Sequence, residues 1–349
     1  METRRSNFFE WRPPSGPLEA SRGRKIGNGK YGTVYLCQGS PHVVIKEVTI
    51  DKAKSNASSL AFREHAMSLL QTVIALRSLC PHLPLHYGIC TSSPRQGSLH
   101  LAYYMEAFDC SLDAAPLDVL SDHKDWIALL FQIHSALVTV ATLLEVAHND
   151  LYPRNVLIKR RAWTDEETLG ESTYDMFGSR WIVPWRYLAS LTDFGICSGK
   201  ALGTPNESPE VGRHLQDEIP GQAFGDLPPS VHVLHYRDLP HFSRDPYMLF
   251  KWPRFRTRSL PQAPPNVSAW AGHCLSFIDR HRYHFASPLG SRKLMSHAFC
   301  PDVLKTFALT PLSIPSTDDT CTSRVRLEDR DVVLQDGEAL LRSIKFKGS

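Results

Sequence analysis

Two acidic residues and an asparagine stand where they could do chemistry together. Asp150 and Asn155 lie in the run HNDLYPRN, which follows a long apolar segment and precedes the strand-like run VLI, and Asp193 follows the run YLASLT. On a loop at a strand end, a carboxylate can accept a proton from a hydroxyl group. Carboxylate and amide oxygens can also hold a divalent cation. The three residues therefore indicate a site for general-base and metal chemistry.

A glycine-rich turn near the N-terminus could hold phosphate. The run GNGKYGTV places Gly27, Gly29 and Gly32 between two strand-like stretches. Glycines let backbone amides approach phosphate oxygens without a Cβ atom in the way. In dinucleotide-binding folds the same spacing is followed by a helix, whereas here a second strand follows. The pattern therefore disfavours a dinucleotide site, and an ordinary tight hairpin is the alternative.

A lysine in a strand-like run needs an anionic partner. Lys46 ends the run VVIK, and an ammonium group on a mostly buried strand is costly unless it is paired. Glu64, in the helix-like run LAFREHAMSLL, is the candidate partner. Taken separately, either residue would be interpreted in preference as an ordinary surface lysine or an ordinary helix glutamate.

The elements that must position these residues follow from periodicity and turn residues. The pattern predicts a glycine-rich hairpin and a second strand within 22–50 and a helix at 59–79. A strand at 99–108, a long apolar helix at 127–147 and a short strand at 155–159 follow. Eleven prolines between Pro205 and Pro265 favour irregular segments that link short helices. Strands come first and helices later, which predicts an α+β protein with a small sheet lobe and a larger helical lobe.

These motifs, in this order across about residues 24–200, resemble the protein-kinase family. The resemblance implies a two-lobed fold with an N-terminal antiparallel β lobe that contains one main helix, and a larger, mostly helical C-terminal lobe. The implied domains are an irregular leader at 1–21, the N-terminal lobe at 22–108 and the C-terminal lobe at 109–349. The C-terminal lobe contains an insertion at about 160–188 and a divergent region after residue 200.

The resemblance also implies a role for each site residue. Lys46 would hold the α and β phosphates of ATP and pair with Glu64, Asp150 would act as the catalytic base, and Asn155 and Asp193 would bind Mg²⁺. In the run YYMEAF, Met105 would lie at the back of the adenine pocket, and the backbone from Glu106 to Phe108 would pair with adenine. The implied ATP-binding loop comprises Ile26, Gly27, Asn28, Gly29, Lys30, Tyr31, Gly32, Thr33 and Val34.

Three positions near Asp150 depart from the family pattern. Most protein kinases have an arginine before the catalytic aspartate, which binds a phosphorylated activation loop, but here the residue is Asn149. We therefore expect activity without activation-loop phosphorylation. Tyr152 replaces the lysine that serine/threonine kinases place two residues after the base, and Arg154 stands four after it, as tyrosine kinases often have. Serine and threonine are favoured only because they are the commoner substrates for this fold.

The later part of the chain diverges further. The insertion contains the run YDMFGSRWIVPWRYLASL, which resembles kinase-like proteins of large DNA viruses, and a chance surface hairpin is the alternative. The run GTPNESPE, residues 203–210, is similar to the segment that anchors peptide substrates, although it comes early and is one residue short. Either Asp238 or Asp245 could brace the catalytic loop.

Composition limits the partners and the compartment. A formal net charge of +3 over 349 residues is too small to indicate a nucleic-acid partner. Gln132, His134 and Glu145 interrupt the apolar segment 127–147, which favours a buried helix over a membrane span. The eight scattered cysteines fit a reducing compartment, and the N-terminus lacks a signal-peptide core. We therefore expect a protein that is not secreted and that works in the cytoplasm or nucleus, where the cell could be an infected host cell.

Together the motifs predict a Mg²⁺-dependent protein kinase that uses ATP and acts on protein hydroxyl groups. Two alternatives remain open. The chain could be a pseudokinase that serves as a binding module, although a scaffold would need neither a base nor metal ligands. It could also be a small-molecule phosphotransferase of the same fold, which the divergent region after residue 200 allows.

Overall fold

The structure is a computed structural model that describes residues 6, 8, 10–11, 21–29, 32–51, 55–92, 98–116, 120–160, 170–195, 197–199, 245–254, 260–281, 288–312 and 323–343. Lys30 and Tyr31 of the predicted ATP-binding loop, the run GTPNESPE and Asp238 lie outside these residues. Within them the chain is α+β, as predicted, with mostly antiparallel sheets and seven α-helices from residue 55 onward.

The largest sheet is antiparallel and carries Lys46 near its middle. Its order is β1-β2-β3-β5-β4, with the strands β1 Arg22–Gly29, β2 Gly32–Cys37, β3 Ser40–Asp51, β4 His86–Ser92 and β5 Ser98–Glu106. The predicted glycine-rich hairpin is present as β1 and β2. Only glycine fits at Gly32, because a Cβ atom there would lie 2.1 Å from the carbonyl oxygen of Glu47.

Two long helices follow parts of this sheet in the chain, α1 Ser55–Leu76 and α2 His123–Leu144. Helix α2 starts earlier than predicted because Asp122 caps it, accepting from the backbone N–H groups of Lys124 and Asp125. It stops before residue 147 because Glu145 turns into the left-handed region at φ 52°. Helix α2 is long and apolar enough to cross a membrane, but 94% of its most apolar window is buried inside the protein.

Short strands frame the loop that carries Asp150 and Asn155. The strands β6 Cys110–Ser111, β8 Val156–Arg160 and β11 Tyr187–Leu191 form one small sheet in the order β11-β8-β6. The pair β7 Val146–Ala147 and β12 Ser198–Gly199 forms another. Strands therefore enter and leave the loop at fixed positions.

The insertion belongs to the main hydrophobic core. Its described part is the hairpin β9 Gly170–Met176 and β10 Ser179–Trp185, and β13 Ser323–Val325 pairs with β9 in parallel. Tyr174, Met176, Trp181 and Val183 from this hairpin are buried. The surface hairpin considered as the alternative is therefore not what forms.

The later helices complete the same core. They are α3 Asp245–Lys251, α4 Pro265–Arg280, α5 Pro288–Ala298, α6 Pro301–Thr306 and α7 Asp329–Ser343. Three of them begin at a proline, which suits the first helical position because no N–H donor is needed there. Residues of α1, α2 and the β9–β10 hairpin share this core.

The structure describes only a few residues of the leader predicted at 1–21. Ser6, Phe8 and Glu10 are helical. The Phe8 ring stacks on Tyr87 at 5.7 Å, and the Trp11 ring packs on Tyr87 and Tyr104 at 5.3 and 5.2 Å. These leader residues therefore cover part of the large sheet.

His134 gives the fold an acid-sensitive point. It is fully buried in α2 against the rings of Phe250 and Phe299, and neither ring nitrogen has a hydrogen-bond partner among the described residues. Burial lowers the pKa of His134 to about 3. The unfolded chain binds this proton below about pH 6.5, so the stability that neutral His134 provides is present above that pH and is lost as pH falls toward 3.

We expect His134→Phe to make unfolding less dependent on acid. At pH 5, protonation of His134 in the unfolded chain lowers the free energy of unfolding by about 2 kcal/mol, at roughly 1.4 kcal/mol per pH unit. Urea unfolding at pH 7 and pH 5 would show a smaller difference in the variant than in the wild type. The exposed His42 is the control, since His42→Phe should leave the difference unchanged. An unchanged difference in the His134 variant would contradict this assignment.

Candidate active site

Lys46 lies between two carboxylates that are distant from it in sequence. Its Nζ atom donates to Oε1 of Glu64 at 2.5 Å and to Oδ1 of Asp193 at 3.5 Å. Strand β3 supplies the lysine and α1 supplies the glutamate. The side chains are 18%, 18% and 33% exposed for Lys46, Glu64 and Asp193, so the cluster borders solvent. The structure thus brings together three of the residues that the sequence predicted for the site.

The charges in this cluster are set by burial and by mutual attraction. Burial disfavours the ammonium form of Lys46, but the carboxylates of Glu64 and Asp193 outweigh it and hold the pKa of Lys46 above its ordinary value. Burial also opposes ionisation of Asp193, yet the charges of Lys46 and Arg154 lower its pKa below the usual range. Near neutral pH the site therefore carries a fixed cation beside an ionised aspartate.

The loop that follows α2 is held by one buried aspartate. Asp245 accepts from the backbone N–H of His148 at 2.7 Å and from that of Asn149 at 3.0 Å. Asn149 has φ 68°, a left-handed conformation that asparagine tolerates better than most residues. The sequence left Asp238 and Asp245 as alternatives for this brace, and Asp245 makes these contacts.

His148 has a defined tautomer. The backbone N–H of Asp150 donates to Nδ1 of His148 at 3.2 Å, so Nδ1 is the accepting nitrogen. Nε2 then carries the proton and donates to the carbonyl oxygen of Thr192 at 2.8 Å. The ring also packs on Phe194, with the centroids 4.4 Å apart. His148 therefore ties the loop of Asp150 to the segment that carries Asp193.

Neighbouring side chains orient the carboxylate of Asp150. Nδ2 of Asn155 donates to Oδ2 of Asp150 at 2.7 Å and to its carbonyl oxygen at 2.8 Å. Nη2 of Arg154 contacts both carboxylate oxygens at 3.3 and 3.4 Å, and the guanidinium group lies 4.5 Å from the centroid of the Tyr152 ring. Asp150 is 8% exposed. A largely buried carboxylate with a fixed orientation is suited to accept a proton from a hydroxyl group.

Asn155 and Asp193 fit a divalent cation. Two acceptors on Asp150 hold Nδ2 of Asn155, which leaves Oδ1 as the oxygen that could face a metal. The backbone N–H of Thr192, next to Asp193, donates to the carbonyl oxygen of Asn155 at 3.0 Å, so the two segments are joined. The described ranges contain no group of three or more His, Cys, Asp or Glu residues that could hold a metal. Two protein ligands completed by phosphate oxygens and water suit Mg²⁺.

The predicted adenine-pairing segment has one backbone donor left for a ligand. Glu106 N–H donates to Leu85 at 2.8 Å, Ala107 N–H to His42 at 2.9 Å and Asp109 N–H to Ile158 at 2.9 Å. For the N–H of Phe108, the described residues supply no acceptor. Met105 is buried beside this segment.

The side chain of Glu106 serves the fold. Its carboxylate is 2% exposed, accepts from Lys159 Nζ at 3.0 Å and accepts from Leu85 N–H at 3.3 Å. Lys159 also lies 5.6 Å from the centroid of the Phe108 ring. No local sequence pattern predicted this role for Lys159, because Lys159 lies in the strand after the Asp150 loop and resembles an ordinary strand residue.

The glycine-rich hairpin lies beside Lys46. Strand register pairs Gly27 with Val34 and Asn28 with Thr33, and it pairs Val34 with Lys46 on the next strand. Oδ1 of Asn28 accepts from Lys25 Nζ and from Thr33 Oγ1, both at 3.0 Å. Ile26 is 45% exposed. The hairpin thus forms one border of the cluster of Lys46, Glu64 and Asp193.

Comparison with known proteins adds little to this geometry. No protein-family model matches the chain, and no curated protein matches it. Among solved structures, a Plasmodium kinase domain matches with a TM-score of 0.32 and 19% identity over 52% of this chain. The match covers 51% of that domain, so the chain spans about half its length. Similarity at this level supports no conclusion about the fold or the function of this chain.

Proposed function

We propose that this chain is a Mg²⁺-dependent phosphotransferase with a kinase-like fold that moves the γ-phosphate of ATP to a protein hydroxyl group. One observation supports it above the others: Lys46 is held between Glu64 and Asp193, while His148 and Asn155 join Asp193 to the loop of Asp150. The two-lobed division at about residue 108 is part of this proposal.

The cationic and anionic groups have separate tasks in this proposal. Lys46 binds the α and β phosphates, and Glu64 keeps its ammonium group in place. Asn155 and Asp193 would hold Mg²⁺. When bound, ATP supplies the phosphoryl group and Mg²⁺ neutralises charge on its oxygens. The hairpin from Ile26 to Val34 covers the phosphates, and the Phe108 N–H pairs with adenine next to Met105.

Asp150 handles the substrate hydroxyl group. Its carboxylate accepts the hydroxyl proton as the hydroxyl oxygen attacks the γ-phosphorus of ATP, while the bond from that phosphorus to the β–γ bridging oxygen breaks and ADP leaves. Asn155 and Arg154 keep the carboxylate oriented. The Arg154 guanidinium lies 3.3 Å from the Asp150 carboxylate, so its positive charge can also act on the phosphoryl group that is being transferred there. Most of the rate enhancement in this chemistry comes from positioning and charge neutralisation.

Asn149 supports activity without phosphorylation of an activation loop. The backbone of Asn149 is fixed by Asp245. Its neutral side chain offers no charge that would attract a phosphate group at this point of the loop. The conformation of the Asp150 loop in this proposal therefore depends on Asp245 and His148, which need no modification.

The remaining assignments rest on the sequence resemblance. Serine and threonine are proposed as the phosphate acceptors because they are the commoner outcome for this fold. An intracellular location is proposed from the cysteine pattern. The resemblance of the insertion to viral kinase-like proteins stays a prediction.

Transfer of labelled γ-phosphate from Mg-ATP tests the proposal. We expect label on the chain itself or on a generic basic protein, with phosphoserine or phosphothreonine after hydrolysis. Pretreatment with a phosphatase should leave the rate unchanged, whereas a loss of activity would contradict the role given to Asn149. Nucleotide binding without label on any protein would overturn the protein-kinase assignment. Label on a metabolite would instead identify a small-molecule phosphotransferase.

A further inference from the structure

The C-terminal segment packs against the helix that carries Glu64. Among the described elements, α7 makes more extensive contact with α1 than any other does. The closest approach is at Gly337, where a Cβ atom would lie 2.6 Å from Cδ2 of Leu70. Beside it, Asp336 forms an ion pair with Arg77 at 2.5 Å. The lack of a side chain at Gly337 thus leaves room for the Leu70 methyl group between the two helices.

The same segment reaches the helix that leads to Asp150. Arg330, at the start of α7, donates to Glu145, which caps the end of α2. The chain runs from Glu145 to Asp150 in five residues. Helix α7 therefore contacts both the element that carries Glu64 and the element that positions the catalytic loop.

Strand β13 is hydrogen-bonded to the turn that follows α1. Oγ of Ser323 donates to the carbonyl oxygen of Leu79 at 2.5 Å, and the backbone N–H of Arg324 donates to that of Ser78 at 3.4 Å. Because β13 also pairs with β9, the insertion supports this attachment. Arg324 adds a contact to Asp175 of β9 at 3.5 Å.

We propose that residues 323–343 form a strut that holds α1 where Glu64 meets Lys46 and that ties this helix to the loop of Asp150. The contact between Lys46 and Glu64 is short, so a displacement of α1 by a fraction of a turn would break it. The Arg77–Asp336 pair is about 40% exposed on both sides and adds little stability by itself. The pair joins α7 to the residue that follows α1. The catalytic part of this inference rests on the proposed function.

Gly337→Val tests the strut by wedging α7 away from Leu70. We expect the rate of phosphoryl transfer to fall by about tenfold, within the range of couplings between contacting residues. Leu70→Ala in the same chain makes room for the new side chain and should recover part of the rate. In a Glu64→Gln background, Gly337→Val should have little further effect, because the contact that it disturbs is already lost. Ala339→Val, on the exposed side of α7, is the matched control.

Amide hydrogen exchange tests the strut without any enzymatic activity. Exchange over Glu64–Leu76 should be faster in Gly337→Val than in the wild type and unchanged in Ala339→Val. Gly337→Ala requires only a Leu70 methyl group to move, so this variant should stay folded. Its exchange rate over Glu64–Leu76 should rise by less than that of Gly337→Val. Unchanged exchange in both Gly337 variants, or an undiminished rate loss in the Glu64→Gln background, would overturn the strut. Absence of phosphoryl transfer in the wild type would overturn the proposed function alone, because exchange still reports on the strut.

Discussion

Replacement of Asp150 by asparagine is expected to lower the rate of phosphoryl transfer by about 10²–10⁴-fold, the range typical for loss of a general base. The amide group cannot take the hydroxyl proton. Nucleotide binding should persist, because Lys46 and the Phe108 N–H are untouched. The fold should persist as well, since Asn155 keeps its bond to the carbonyl oxygen of residue 150 and the amide oxygen can accept its second bond.

Single-turnover transfer of labelled phosphate, measured beside equilibrium binding of a nucleotide, separates these effects. Asp302→Asn is the matched control, because the Asp302 side chain is 91% exposed on α6. The control should transfer phosphate at the wild-type rate. If the Asp150 variant did the same, Asp150 would not be the base, and the geometry around it would serve only to shape the loop.

The site could be predicted from sequence wherever a residue type and its local context agree. Lys46 in an apolar strand run required an anion, and Glu64 on the following helix supplied one within 18 residues. The loop of Asp150 and Asn155 was readable because a long apolar helix precedes it and a strand follows. The roles of these residues remain proposals, but their proximity is a property of the fold.

The brace on the catalytic loop could not be predicted in the same way. Asp245 lies 97 residues from His148, and Asp238 stands in a similar setting of aromatic and proline residues. No local pattern distinguishes two aspartates whose task is to accept backbone N–H groups from a distant loop. The choice depends on where α3 packs, which is set by the whole core.

The insertion and the C-terminal segment were also beyond local patterns. Tyr174 and Trp181 read as hairpin aromatics, yet both pack on Phe131 of α2, with ring centroids 5.0 and 5.5 Å apart. The sheet that carries them also includes β13, which arrives about 150 residues later in the chain than Tyr174. The contact of residues 323–343 with α1 was not predicted, because the periodicity of side chains along a helix does not identify the helix that it packs against.

Lys46→Ala is expected to lower kcat/KM for ATP by about 10²–10³-fold, the size seen when one preorganised donor to a developing charge is removed. In the proposed function the ammonium group is the cation that binds the phosphates. Its pKa lies above the ordinary value, so wild-type Lys46 is charged near neutral pH. Glu64 and Asp193 border solvent and can recruit water in its place, so we expect the variant to stay folded. Thermal unfolding beside steady-state kinetics distinguishes loss of function from loss of fold.

Companion variants separate the charge of Lys46 from its shape. Lys46→Arg keeps the cation, but a planar guanidinium cannot take the position of an ammonium group between Glu64 and Asp193, so it should stay impaired. Glu64→Gln should cost less than Lys46→Ala, since Asp193 still attracts the ammonium group. Lys305→Ala, at a side chain that is 65% exposed, is the control and should be silent. Unchanged turnover in Lys46→Ala would remove the cation from the mechanism, and the cluster of Lys46, Glu64 and Asp193 would then be a structural ion network.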